Sequence, residues 1–361
     1  MMAKTKAGSA IGKVLNHIFI DGLSGMALGL FSTLIVGTIL AQVAAFIPGT
    51  IGELTGAVAS LAKALTGAGI GIGVAKKYNR SPLVTVSCAV AGLVGAFSSK
   101  IIAGAVLAEG AVVLSGPGEP LGAFISAFVA AEIGALISGK TKLDILLTPV
   151  VTIASGSAVG LLIGTPISEL MTSLGNLINW GTEQQPILMG IVVSVLMGIA
   201  LTLPISSAAI GVILGLSGIA AGAAVIGCCT QMVGFAVMSY RENKFGGLIA
   251  QGIGTSMLQM PNIVRRPLVW IPPIVASAIL GPVSTLLSIK CNATGAGMGT
   301  SGLIGPIMTY QTMAADGADI KIVIIEIILL YFVAPALLTL AVSEPMRKAG
   351  IIRPGDLKLE I

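Results

Sequence analysis

The sequence predicts an all-α polytopic membrane protein with about ten transmembrane helices, some broken or re-entrant. Three observations carry that expectation. The 361-residue chain is 55% hydrophobic and only 10% charged, against roughly 25% charged in soluble domains. Nearly every stretch of about twenty residues between charge clusters is apolar, the length that crosses a bilayer core. Basic residues gather at 4–13, 76–80, 140–142, 241–244, 265–266 and 347–358, and only Lys63, Lys100, Lys290 and Lys321 stand alone. That spacing fits cytoplasmic loops under the positive-inside rule. The absence of strand-like alternation excludes an outer-membrane barrel.

The elements follow in order. Residues 1–22, basic and loosely amphipathic without a small-residue cleavage site, read as a cytoplasmic lead-in helix rather than a signal peptide. Residues 23–345 form the membrane domain. Its first span is 23–47, followed by a weaker, amphipathic 51–75 that carries Glu53 and Lys63. Past the loop "KKYNR" come 82–99 and a short segment, 101–115, closed by the turn composition "SGPGEP". Residues 121–138 and 143–166 flank "SGKTK". An amphipathic run, "ISELMTSLGNLINW", leads to 186–202. Then come a broken "LPISSAAIGVILGL", a span at 217–239, the loop "YRENK" and a short 246–260. The polar loop "GTSMLQMPNIVRRPLVWIPP" (254–273) precedes 268–290, a glycine-rich 291–305 and a last span, 320–341. Residues 346–361 are expected as a cytoplasmic tail. An even number of crossings with basic residues at both ends places both termini in the cytoplasm.

Several motifs carry less than they first suggest. The "GAGIGIG" of Gly67, Gly69, Gly71 and Gly73 follows no strand and lacks the dinucleotide spacing. With 48 glycines in the chain, small-xxx-small spacing predicts closely packed helices. The net charge of +5 sits in loops, so nucleic acid is not an expected partner. Cys88, Cys228, Cys229 and Cys291 lack metal or disulfide spacing, and no cofactor or metal is expected. His17, the only histidine, reads as an amphipathic surface residue.

Three stretches at membrane depth are polar or proline-bearing: "IGTPISEL" (163–170), "LPISSAAIG" (203–211) and "CNATGAGMGTSGLIGPI" (291–307). Irregular backbone is tolerated there only when buried in protein or lining a cavity, and broken segments around a midplane site are how transporters are built. With the 254–273 loop they are expected to share one cavity. The alternative for any one of them is a kinked helix whose Ser and Thr bond their own backbone.

These stretches, in this order, resemble the EIIC membrane component of the bacterial sugar phosphotransferase system, in particular its fructose and mannitol type. The resemblance rests on "IGIGVAKKYNRSPLVTVSCAVAGLVG" (70–95), "LLTPVVTIASGSAVGLLIGTPISEL" (146–170) and "LMGIALTLPISSAAIGVILG" (196–215). The 254–273 loop adds Gly254, Pro261, Pro267, Leu268, Ile271 and Pro272, in register with "GITEGAIPFAAADPLRVIPS". It covers roughly residues 25–345, and the chain is also similar to a divergent branch that includes PfoR-type regulatory membrane proteins. The resemblance implies a homodimer in the bacterial cytoplasmic (inner) membrane, working by alternating access. It would hand a sugar to separate EIIA and EIIB proteins and would not carry the phosphoryl group itself. No catalytic residue is expected in such a permease subunit.

The departures from the family pattern bear on the ligand. The acidic residue of the family's I-T-E triplet falls on Met257, whose thioether cannot replace a carboxylate as a hydrogen-bond acceptor. The P-H-G-G expected after Lys290 is "ATGAG", and the Asn-Lys pair becomes Ser206 and Ser207. The remaining polar groups are Thr255, Ser256, Gln259, Asn262, Arg265, Arg266, Asn292, Thr294, Thr300 and Ser301. Together with Ser206, Ser207 and Glu169, a carboxylate after a proline break, all of these except Arg266 form the expected substrate-binding set. Glu169 could equally cap the helix that follows it. Arg265 and Arg266 either bind an anion or serve membrane topology and lipid phosphate. Three functions fit: a sugar permease, a membrane sensor or regulator that keeps the fold without coupled transport, and a permease for a non-sugar, anionic solute.

Overall fold

Helices dominate because apolar runs leave the backbone no water to bond, so each segment must satisfy its own N–H and C=O groups. The computed structural model describes residues 16–108, 110–182, 184–205 and 207–359. Among these, the only strands form a hairpin of two residues each, Leu107–Ala108 with Ala111–Val112. Six helices are long and apolar enough to cross a membrane: Ile20–Phe46, Pro120–Ile137, Asp144–Ile167, Gly218–Met238, Pro267–Leu286 and Ile320–Lys348. Thr50–Ala64 and Thr66–Lys77 make a seventh if counted as one span broken by a 52° bend. Pro82–Ala96 and Pro186–Thr202 are shorter apolar helices. Their starts are set locally: proline opens each in its first turn, and the Ser81 side chain caps Pro82–Ala96 by accepting from the Val84 N–H.

Three expectations change. The 101–115 segment is not a span, since helix ends at Ile102 and the small hairpin follows. The "IGTPISEL" stretch stays helical: helical backbone runs Asp144–Thr182 through Pro149 and Pro166, while the membrane-crossing part ends inside the motif, at Ile167. Proline removes one backbone bond, but helix-forming sequence on both sides carries the helix across it. A further helix, Ile304–Ala315, lies where no span was expected. Residues 1–15, within the expected lead-in, lie outside the described residues.

The chain packs as two compact units. The first holds described residues up to Gly37 and Ala57–Ser168. Its helices meet backbone to backbone through glycine. A Cβ on Gly25 would stand 2.7 Å from the Gly73 carbonyl oxygen, and one on Gly67 2.6 Å from the Ala96 Cβ. A Cβ on Gly29 would overlap the Gly69 carbonyl, and one on Gly71 that of Cys88. Ala75, Val84, Cys88, Ala91, Ala130 and Ala131 fill the remaining core. At its edge Glu132 pairs with Arg80 and, at 3.0 Å, with His17, whose ring stacks on Tyr78 at 4.2 Å. His17 therefore has specific partners that the surface reading did not foresee. Burial, with the Glu132 and Asp21 charges adding to it, pushes the Tyr78 phenol up from its ordinary value.

The second unit holds Thr38–Gly56 and Glu169–Leu359. Gly218–Met238 is its central helix, with 89% of its apolar window buried, whereas only 22% of the Asp144–Ile167 window is buried. Close crossings again depend on glycine: Gly198 against Gly227, Gly227 against Ser194, and Gly190 against Gly281. Both cores enclose hydroxyls, Ser126 and Thr152 in the first and Thr202 and Ser256 here, but this one also encloses the amides Gln231, Gln251 and Gln259.

Candidate functional site

The second unit brings the 291–301 stretch against 203–211 and against Gly252, just before the 254–273 loop, while that loop meets the end of the helix before 203–211 through Ser256 and Thr202. Ser207 donates to the Gly297 carbonyl at 2.7 Å. The Thr300 hydroxyl donates to the Gly252 carbonyl at 2.5 Å. A Cβ on Gly211 would stand 2.8 Å from the Ala293 carbonyl oxygen. The backbone breaks where the sequence marks it. Helix stops at Thr202, and Tyr240–Ile249 passes into a wider-turned Ala250–Gly254. Thr255 is extended at φ −161°, and its side chain caps the tight Ser256–Gln259 turn by accepting from the Met257 N–H.

The expected substrate residues fall into three settings. Thr255, Ser256, Gln259, Asn262, Ser207, Thr300 and Ser301 are buried. Asn292 is half-buried; its carbonyl oxygen accepts from the Gly295 N–H, and its amide nitrogen reaches the Met308 sulfur at 3.3 Å. Arg265, Arg266, Thr294 and Glu169 are exposed, with Arg266 Nε 3.8 Å from an Asp356 carboxyl oxygen. Glu169 lies inside the Asp144–Thr182 helix rather than at its start. Ser206 lies outside the described residues.

Two polar networks organise the buried group. In the first, the Gln259 amide donates to Gln251 Oε1 at 2.7 Å and to the Leu357 carbonyl at 3.1 Å. Asn262 donates to Gln259 Oε1 at 2.7 Å and to the Lys358 carbonyl at 2.9 Å. The segment expected as a tail is thus bonded to the 254–273 loop. Asn243 holds it as well, donating to the Leu357 carbonyl and accepting from the Leu359 N–H. Leu357 and Ile352 are buried. The helix before this segment is anchored by Arg347, which pairs with Glu242 at 2.9 Å and donates to the Met238 carbonyl.

The second network includes three residues the sequence reading did not single out. Ser256 shares a 2.8 Å hydrogen bond with Thr202, whose hydroxyl stands 3.4 Å from Gln231 Oε1. Trp270 Nε1 donates to the same oxygen at 2.9 Å. Gln231 lies in the middle of Gly218–Met238, where a lone amide in a long apolar run was the available signal.

Apolar spans long enough for a bilayer and helices broken around buried hydroxyls and amides define an integral membrane protein built as transporters are. The particular family follows from comparison. The model described as "Phosphotransferase system, EIIC" matches residues 20–359, nearly the whole chain. The protein belongs to that family, the membrane transporter components of the phosphotransferase system. No curated protein sequence matches it significantly.

Proposed function

We propose that the protein is a permease subunit that carries a sugar or closely related neutral solute across the bacterial cytoplasmic membrane by alternating access. It would act as a homodimer and pass its cargo to separate EIIA and EIIB proteins. Family membership supports the transport role and the partners. The observation that carries the neutral cargo is the chemistry of the buried set. Thr255, Ser256, Gln259, Asn262, Ser207, Thr300 and Ser301 are uncharged hydroxyls and amides, several already bonded within the protein, while Arg265 and Arg266 are exposed. Neutral donors and acceptors suit solute hydroxyls, and burying an anion without a cation would be costly. The test is a thermal-shift screen of the full chain in detergent with sugars, sugar acids and fatty acids. Stabilisation by sugars supports the reading. A response to sugar acids alone favours the anionic permease, and no response to any solute favours the regulator.

The proposed orientation puts both termini and the loops at 76–80, 140–142 and 241–244 in the cytoplasm. Asn79 and Lys140 are exposed and the native cysteines are buried, so single cysteines at these positions report cleanly. Their labelling from outside by an impermeant thiol reagent would refute it.

A further inference from the structure

The amides buried in the second unit are not alike. Gln251 donates both N–H groups, to Ser239 Oγ and to the Gly247 carbonyl. Gln259 and Asn262 use both of theirs as well, on the partners already described. Gln231 is as buried as these, and its amide nitrogen has no hydrogen-bond partner. An amide carries two donors, and leaving them unpaired inside a protein costs free energy that an apolar side chain would avoid.

The direction in which this amide points is determined. The Trp270 indole can only donate, and it donates to Gln231 Oε1 at 2.9 Å. Turning the amide over would set donor against donor. The Thr202 hydroxyl, tied to Ser256, lies on the same oxygen side. The NH2 group is therefore held away from the indole with nothing to bond. Among the other buried atoms without a partner, Arg80 Nε and Arg347 Nε belong to guanidinium groups paired through another nitrogen, and Glu326 Oε2 belongs to a half-buried residue. Thr152, Ser157, Ser284 and Thr339 each carry a single rotatable hydroxyl on a helix, where the backbone carbonyl of the preceding turn can serve.

Building on the sugar-carrier reading, we propose that Gln231 is a substrate-contact residue whose NH2 group donates to a hydroxyl oxygen of a neutral polyhydroxylated solute. Trp270 and Thr202 are positioning residues that hold the amide by its oxygen. The cargo is neutral because Thr202, Gln231, Ser256 and Trp270 are all uncharged, and an anion bonded there would be buried without a cation among them. The site joins the proline-marked loop, through Ser256 and Trp270, to the most buried span, and so extends the recognition set into the helix core.

The experiment is a cycle between protein and solute. Binding of D-fructose, D-mannitol and their monodeoxy analogues, chosen from the fructose and mannitol likeness of the sequence, is measured on the full chain in detergent. The proteins are wild type, Gln231→Met and Trp270→Phe. In wild type, one deoxy position should weaken binding tenfold or more, about 1.4 kcal/mol. Gln231→Met should erase the discrimination at that position and keep it at the others. A uniform loss across all analogues, or discrimination unchanged from wild type, overturns the contact. Should Gln231→Met fail to fold, Trp270→Phe decides. It leaves the amide but removes its anchor, so reduced discrimination at that one position supports the proposal and unchanged discrimination overturns it. A wild-type protein that binds none of these solutes overturns the sugar reading, and this inference with it.

Discussion

The two units solve the same packing problem with different materials. In the first, rigidity resides in the backbone: Gly25, Gly29, Gly67 and Gly71 let helices touch without side chains between them. Its main ion cluster is at the edge, with side-chain exposures of 20% for Arg80, 38% for Glu132 and 40% for His17. In the second unit polar groups are enclosed, and Arg347 and Glu242 meet with only 8% of each side chain exposed. Between helices in a membrane, apolar attraction adds little because lipid is equally apolar, so close van der Waals fit and hydrogen bonding remain. Both units use both, the first through glycine contacts and the Ser126 hydroxyl bonded to the Ala91 and Gly156 carbonyls, and the second adds buried amides and a buried ion pair.

The largest expected effect lies in that contrast of ion pairs. Arg347→Met strands the Glu242 carboxylate in a buried setting and also removes a donor from the Met238 carbonyl. The expected loss is about 3–5 kcal/mol, read as a large fall in Tm in detergent, and adding Glu242→Gln should recover much of it. Arg80→Met leaves Glu132 both water and His17 as partners, so about 1 kcal/mol or less is expected. If Arg80→Met proves the more damaging, the comparison between the units fails.

The next effect tests the backbone contacts. Gly71→Ala places a methyl group onto the Cys88 carbonyl, 2.6 Å from its carbon. Both partners are main chain, so a helix must move, at about 1–3 kcal/mol. Gly246 offers a control, since a Cβ there meets nothing within 4 Å. Gly246→Ala should be neutral or slightly stabilising, because alanine favours helix over glycine. Equal Tm changes in the two variants would show that close approach is not what holds the first unit.

Much of this was legible in the sequence, and what was not has physical causes. Long apolar runs betray spans because a bilayer core imposes their length, and most expected spans coincide with helices. The breaks at 203–205, 254–259 and 291–303 were legible because proline, glycine and hydroxyl residues cluster there, whereas the widened turn at Ala250–Gly254 falls inside an expected short span. Pro166 misled, since the context on either side outweighs one missing N–H. Residues 351–359 were opaque for another reason. The burial of Leu357 depends on Asn243, Gln259 and Asn262, about a hundred residues away in sequence, and no local pattern encodes such partners. Gln231 was visible as a lone amide in an apolar helix, yet its meaning required Trp270 and Thr202 beside it.

The smallest effect is expected at Arg265, the residue that drew most attention in the sequence. Two arginines at the bilayer centre would cost at least about 5 kcal/mol even on the lenient insertion scale, so the loop that carries them must reach water or headgroups. Pro261 and Pro267 shape the segment on either side, and both arginines are exposed, Arg266 beside Asp356. A cation placed outside the buried hydroxyl and amide set should contribute little to a neutral solute held inside it. Arg265→Gln should therefore leave sugar affinity within about twofold of wild type, well under the 1.4 kcal/mol of a tenfold change, while Gln231→Met does not. A tenfold loss for a sugar acid with sugar binding unchanged would assign the arginine to an anionic group of the cargo. A tenfold loss for the neutral sugar itself would move recognition out of the buried network and to the loop.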